Sequence, residues 1–213
     1  IAGLSSAQMP GLTTAQLAAW TTSVQIQALE SADLAQLSSA QVKSLSSAQL
    51  GYLSSAQLAA LSSAATGVLG TNTIASLNSA ELAALTSAQV AGLSTAQLQA
   101  LSSAQVPGLG TEDIAALSSV QIGALRTASI AGLSTDQIAA LSSTNVKGLS
   151  SAQLLALSSS QIAALETDDF AQLSSAQLGA LSSKQGAGLT TAQLASLDSA
   201  ELSKLSTAAV QGL

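Results

Sequence analysis

The octapeptide LSSAQLAA at residues 53–60 decides the fold, because nearly the whole chain is built from variants of it. From Leu29 to Leu213 every eighth residue is leucine, giving 23 consecutive octads, and Leu4, Leu12 and Trp20 carry the series toward the N-terminus. One slip interrupts it, where the stretch Thr21–Ala28 carries an extra residue. With the leucine as position one, positions two and three are mostly Ser or Thr, four is mostly Ala and five is mostly Gln. Position six is apolar in every regular octad except those of Thr66 and Gly186. Self-similarity at a fixed short period is the mark of an architecture made of stacked units.

Three backbone geometries can be set against that period. A continuous α-helix turns about 100° per residue, so eight residues advance about 800° and successive leucines drift by about 80° around the rod. No single apolar face results. In a β-strand positions one and six point to opposite sides, and Ala, Ser and Gln are poor strand formers. A short helix restarted in every octad fits the residue types in detail. Ser or Thr at position two, followed three residues later by Gln, is a capping box, in which side chains satisfy the free N–H groups of a helix start. The apolar residues at one and six have the spacing of a hydrophobic staple, as in Leu53 with Leu58 and Leu173 with Leu178. Glycine recurs at position eight, at Gly92, Gly108, Gly132, Gly148, Gly188 and Gly212, where a left-handed residue can end a helix.

The replacements respect this scheme. Asn78 and Asp198 are themselves good caps at position two, and Glu30 and Glu166 place negative charge at a helix start. Asp33, Glu81, Asp113, Asn145, Asp169 and Glu201 keep an acceptor at position five.

Helices this short are marginal alone, so the octads must stack. A slower rhythm gives the number per turn. Position four departs from Ala at Glu112, Val120, Asp136, Thr144, Ser160, Asp168 and Lys184, with spacings alternating between 8 and 16 residues, whereas Ala80, Ala104, Ala128, Ala152, Ala176 and Ala200 hold the third phase. The expected fold is therefore an all-α solenoid over residues 1–213, irregular in 1–28 and regular in 29–213, with one capped helix per octad and three octads per 24-residue turn. A 16-residue turn is the rival. At turn spacings of about 8–10 Å, about nine turns would make a rod on the order of 80 Å long. The alanine edge suggests a close approach, to the next turn or to another molecule.

Composition narrows the chemistry. The chain has neither Cys nor His, aromatics are 1% and charged residues 8% of the total, and the net charge is −6. Imidazole bases, thiolates, disulfides and the commonest transition-metal ligands are absent. The few scattered basic residues make nucleic acid an unexpected partner. Mean hydropathy is +0.46, yet Ser, Thr or Gln breaks every apolar run well short of the roughly 18–20 residues of a membrane span. A serine nucleophile without histidine would need one of Lys43, Lys147, Lys184 or Lys204, each of which sits in an ordinary octad. The clusters Glu166, Asp168, Asp169 and Glu112, Asp113 offer carboxylates to Ca²⁺ but lack the spacing of a calcium loop, and capping with surface charge accounts for them. Trp20, Tyr52 and Phe170 are too scattered for a stacking platform. Trp20 stands at a leucine position and Phe170 at position six, so both read as core. No catalytic, cofactor-binding or metal-binding residue is expected.

The run TSAQVAGLSTAQLQALSSAQV at residues 86–106 resembles the long octapeptide arrays of bacterial secreted and surface proteins, which often carry adhesion, haem-utilisation or hook-length labels. The resemblance spans nearly the whole chain and implies an extracellular or cell-surface setting. It transfers no functional residues. The expected role is structural: a self-assembling filament subunit, associating head to tail, or a rigid spacer of a surface protein. The alternative is a binding module that offers a Ser/Thr/Gln face to carbohydrate, ice or a protein.

Overall fold

The computed structural model describes residues 3–213, and among them it contains short helices and no strand. They form two compact units, residues 1–100 and 101–213. In both, each octad supplies one helix of four to six residues, apart from 3₁₀ turns at Ser6–Gly11 and Val106–Gly108.

The capping box forms as the sequence predicts. Ser54 is extended, at φ −71° and ψ 163°, and its Oγ accepts from the Gln57 amide at 3.3 Å while Gln57 Oε1 accepts from the Ser54 amide at 2.8 Å. The same reciprocal pair recurs at Ser94 and Gln97, Ser134 and Gln137, and Ser174 and Gln177. The Ser54 and Gln57 amides are thereby both satisfied within four residues of sequence.

Helix ends depart from expectation. No described residue has a positive φ, and Gly92 closes its helix in the right-handed region at φ −78° and ψ −10°. The helix stops because the next leucine is extended, as Leu61 is at φ −64° and ψ 144°, held there by the capping box that follows it. Glycine at position eight serves packing instead. A β-carbon on Gly132 would lie 2.7 Å from the carbonyl oxygen of Ser103, and one on Gly92 would lie 3.1 Å from that of Ser63. In both pairs the partner is 29 residues earlier, so position eight is where two successive coils touch backbone to backbone.

Helices pack with the third helix along, which fixes three octads per coil. In residues 1–100, Ser31–Leu34 lies on Ser55–Ala60, and Thr71–Ser76 on Thr95–Ala100. In residues 101–213, Thr127–Ala131 packs on Ser151–Ala156, which packs on Ser175–Ala180. Positions one and six line the interior: Leu98, Leu101, Ile130, Leu154 and Leu178 are fully buried, as is Phe170, and Trp20 is buried in a leucine position. Thr66 and Gly186, the two polar or small residues at position six, are buried as well. The alanine edge is different: Ala80, Ala104, Ala128, Ala152, Ala176 and Ala200 are all exposed, although Ala176 O accepts from Ser151 Oγ of the preceding coil at 3.3 Å.

Two local irregularities have simple causes. Pro10 and Pro107 both occupy position seven, where a missing N–H removes a helical hydrogen bond, and both octads form 3₁₀ rather than α-helix. The extra residue in Thr21–Ala28 is taken up before the helix Ser23–Gln27. Hydrogen bonds between coils span 32 and 29 residues from Gln49 but 31 and 28 from Gln57, so the added length falls between Trp20 and Ile26 and the coil register survives it.

Candidate functional site: an amide seam between coils

Position five carries most of the polar organisation of the molecule. Most of its glutamines are buried, with Gln89, Gln97, Gln153 and Gln193 no more than 2% exposed. The Oε1 of each closes its own capping box, which leaves the Nε2 donors pointing at the preceding coil. There they meet two backbone carbonyls. Gln97 Nε2 donates to Thr66 O at 3.0 Å and Leu69 O at 2.9 Å, and Gln89 Nε2 to Leu58 O at 2.9 Å and Leu61 O at 2.6 Å. In residues 101–213, Gln137 reaches Val106 O and Leu109 O, Gln177 reaches Val146 O and Leu149 O, and Gln193 reaches Ile162 O and Leu165 O.

The acceptors are chemically apt. Each pair belongs to position six of one octad and position one of the next; the position-six carbonyl already accepts from the amide of the following leucine, as Leu58 O does from Leu61 N at 3.2 Å, so the glutamine takes up its second lone pair together with the carbonyl of the leucine between two helices. One amide therefore serves the start of its own helix and the finish of another a full coil away. Every buried side-chain nitrogen and oxygen among the described residues has a hydrogen-bond partner, which is what allows so many polar groups into a thin core.

Shorter residues at position five keep part of the arrangement. Ser129 Oγ donates to Leu101 O at 2.7 Å. Asp33 and Asp113 are buried and retain the capping half, accepting from the amides of Glu30 at 3.1 Å and Gly110 at 2.8 Å. Asp169, also buried, accepts from Ser143 Oγ of the preceding coil at 2.6 Å, with the polarity between coils reversed.

The residues weighed for other chemistry are placed apart. Lys43, Lys147, Lys184 and Lys204 are all exposed, and the position-two serines are engaged in capping. Of the acids, Glu112, Glu166 and Asp168 are exposed whereas Asp113 and Asp169 are buried. No group of three or more His, Cys, Asp or Glu among the described residues is gathered to hold a metal ion. Shallow grooves run between coils, one of them lined by Gln27, Glu30, Tyr52 and Gln57. No described helix is long and apolar enough to cross a membrane.

The seam was missed in the sequence, although a signal for it was present. A capping box accepts Glu as readily as Gln, yet position five strongly prefers the amide. That preference has no local explanation and marks a required N–H donor.

Comparison with known families fits this construction. The model of the ALTTAQ repeat matches residues 26–63, 67–95, 74–111, 91–119, 106–143, 130–167 and 162–199. The chain belongs to the ALTTAQ-repeat family. The family's hexad appears almost unchanged as GLTTAQ at residues 11–16 and 188–193, and in the second copy it spans the glycine of close approach, the staple leucine, the cap and the seam glutamine. Each ALTTAQ match covers several octads, in keeping with units that do not stand singly. No curated protein matches the chain.

Proposed function

We propose that this ALTTAQ array is a structural element, a rigid spacer or filament subunit of a cell-surface or extracellular protein, whose contribution is length rather than chemistry. One observation carries the reading. The polar groups present in greatest regularity, the position-five amides, are spent on joining each coil to the one before it. Repeat stacks joined only to nearest neighbours can be lengthened unit by unit without changing the design of any unit. A face that presents glutamine to carbohydrate or ice is less well supported, because those amides are buried and already paired. The likeness to bacterial secreted and surface octapeptide arrays supports the extracellular setting.

The test is to delete whole and partial coils. Removing residues 125–148 joins Ala124 to Leu149 with the 24-residue register intact. The shortened chain should keep its helical circular dichroism and lose roughly 8–10 Å of maximum dimension in small-angle scattering. Removing residues 125–136 offsets the leucines by half an octad and should abolish cooperative unfolding. A 24-residue deletion that unfolds the chain or leaves its length unchanged would overturn the spacer reading.

A further inference from the structure

Two grooves between coils occupy equivalent places, one in each unit. In residues 1–100 a groove of about 580 Å³ is lined by Gln27, Glu30, Ser31, Tyr52 and Ser54 among others. In residues 101–213 a groove of about 440 Å³ is lined by Lys147, Ser150, Ser151, Gln172 and Ser174 among others. Each of the second set stands 120 residues, or five periods of 24, after its counterpart in the first. Ser31 and Ser54 recur as Ser151 and Ser174, whereas Gln27, Glu30 and Tyr52 become Lys147, Ser150 and Gln172. The scaffold is shared, and the chemistry of its rim is not.

The first groove departs furthest from the repeat. Tyr52 is the chain's single tyrosine and stands at position eight, elsewhere mostly Ala, Gly or Ser. Unlike Trp20 and Phe170 it is not core, being 36% exposed. Positions seven and eight, 25 residues apart, meet across successive coils. At Gly67 and Gly92 they meet so closely that a β-carbon on the first would lie 2.8 Å from the carbonyl oxygen of the second. Gln27 and Tyr52 have the same spacing, so two long side chains flank the groove where two glycines elsewhere close it. Glu30, which is exposed, replaces the usual Ser or Thr at position two and adds a carboxylate. No Lys or Arg is among the lining residues. Described coils bound the groove on both sides: Leu4 and Ser5 border Glu30 on one, and Ser55–Ala60 packs on Ser79–Ala83 on the other.

We propose that this groove binds an organic ammonium ion. The positive charge lies between the Tyr52 ring and the Glu30 carboxylate, and the Gln27 amide oxygen accepts from an N–H where the ion has one. An aromatic face attracts a cation through its ring quadrupole, and a carboxylate attracts it directly. An uncharged ligand of the same shape gains neither. The net charge of −6 adds a field that draws cations to the chain. Lys147 gives the counterpart groove the opposite sign, and with neither ring nor carboxylate in its lining that groove holds no such ion. The site goes beyond the spacer reading and stands or falls separately from it.

Tyrosine-ring NMR of the 213-residue chain reads the site directly, because one tyrosine gives one set of ring signals. Three probes are titrated: choline, butylammonium and 3,3-dimethylbutan-1-ol, which has the shape of choline without its charge. At least one cation should shift the ring signals saturably, and the alcohol should bind at least about fivefold more weakly. A stronger response to choline assigns a quaternary ammonium ion, and a stronger response to butylammonium a primary one, such as a lysine side chain; either supports the proposal. Glu30→Ser, which installs the residue found at 150, should weaken the cation by about threefold and leave the alcohol unchanged. Lys147→Gln, Ser150→Glu and Gln172→Tyr together build the same rim in the second groove and should add a second tyrosine signal that responds to the same cation. Circular dichroism verifies that both variants stay helical. Ring signals that ignore both cations, an alcohol that binds as well as choline, or a transplanted tyrosine that does not respond would each overturn the proposal.

Discussion

Two adjacent octads, Leu165–Gln172 and Leu173–Ala180, solve the same problem with different equipment. The second has a full set. Ser174 caps the helix Ser175–Ala180, Gln177 Oε1 accepts from the Ser174 amide at 2.7 Å, and Gln177 Nε2 reaches Val146 O at 2.9 Å and Leu149 O at 2.8 Å. The first, LETDDFAQ, has Glu166 at the cap without a side-chain hydrogen bond, a helix of only four residues, and Asp169 in place of the seam glutamine. Both nonetheless bury position six completely, Phe170 in one and Leu178 in the other. Burial of the apolar pair, with the one bond between coils that Asp169 accepts from Ser143 Oγ, therefore keeps an octad helical and in register without the side-chain cap or the glutamine.

The strongest way to break that comparison is to convert the better octad's glutamine to glutamate. Gln177→Glu keeps an acceptor for the Ser174 amide but removes both donors and sets a carboxylate against two buried carbonyls. Unpaired buried charge is costly, and the loss should be about 3 kcal/mol in urea unfolding. Gln177→Ala removes the donor from both carbonyls without adding charge, leaving Val146 O only the Leu149 amide at 3.2 Å, and should cost about 2 kcal/mol. Equal and small effects from the two would mean that the seam contributes nothing and that capping alone explains the glutamine.

A second change tests how tightly the coils below must meet. Gly148 lies between Val146 and Leu149, the two acceptors of Gln177, and a β-carbon there would come within 2.6 Å of the Ser119 carbonyl carbon. Both sides are backbone, so neither yields easily. Gly148→Ala should cost about 1–3 kcal/mol. Gly11→Ala, where a β-carbon meets nothing within 4 Å, should change stability by less than about 0.5 kcal/mol. Matching losses at the two sites would return glycine to a role in backbone conformation.

These glycines show where sequence reading succeeded and where it did not. Helix starts were legible because the capping box is local: Ser174 and Gln177 are three residues apart and interact whatever lies around them. The three-octad coil was legible because substitutions at position four, from Glu112 to Lys184, keep a 24-residue rhythm. The purpose of Gly132 and the second half of Gln97 were not, because both act on residues 28 to 31 positions earlier. A contact of that span leaves no trace in one octad taken alone. It shows only as a preference that the local rule does not require, Gln over Glu at position five. The fate of the exposed alanine edge was likewise beyond local reading, since small residues suit a close contact and a bare surface equally well.

The smallest effect is also the one that most sharpens the contrast, because it adds equipment to the poorer octad. Asp169 stands 28 residues after Leu141 and 31 after Ile138, the spacing at which Gln177 reaches Leu149 and Val146. Asp169→Gln should therefore let Nε2 donate to the carbonyls of Ile138 and Leu141 while Oε1 turns back to the Glu166 amide. It gives up the hydrogen bond that Asp169 accepts from Ser143 Oγ at 2.6 Å, a bond to a charged acceptor. Two neutral hydrogen bonds gained against one charge-assisted bond lost leaves a net stabilisation of at most about 1 kcal/mol. Adding Glu166→Ser supplies the missing cap, worth about 1 kcal/mol in its own right. Cap and seam meet in the residue at 169, so the pair should stabilise by more than the sum of the single changes in a double-mutant cycle. Strict additivity would show instead that each octad's cap and seam work independently, although one side chain carries both.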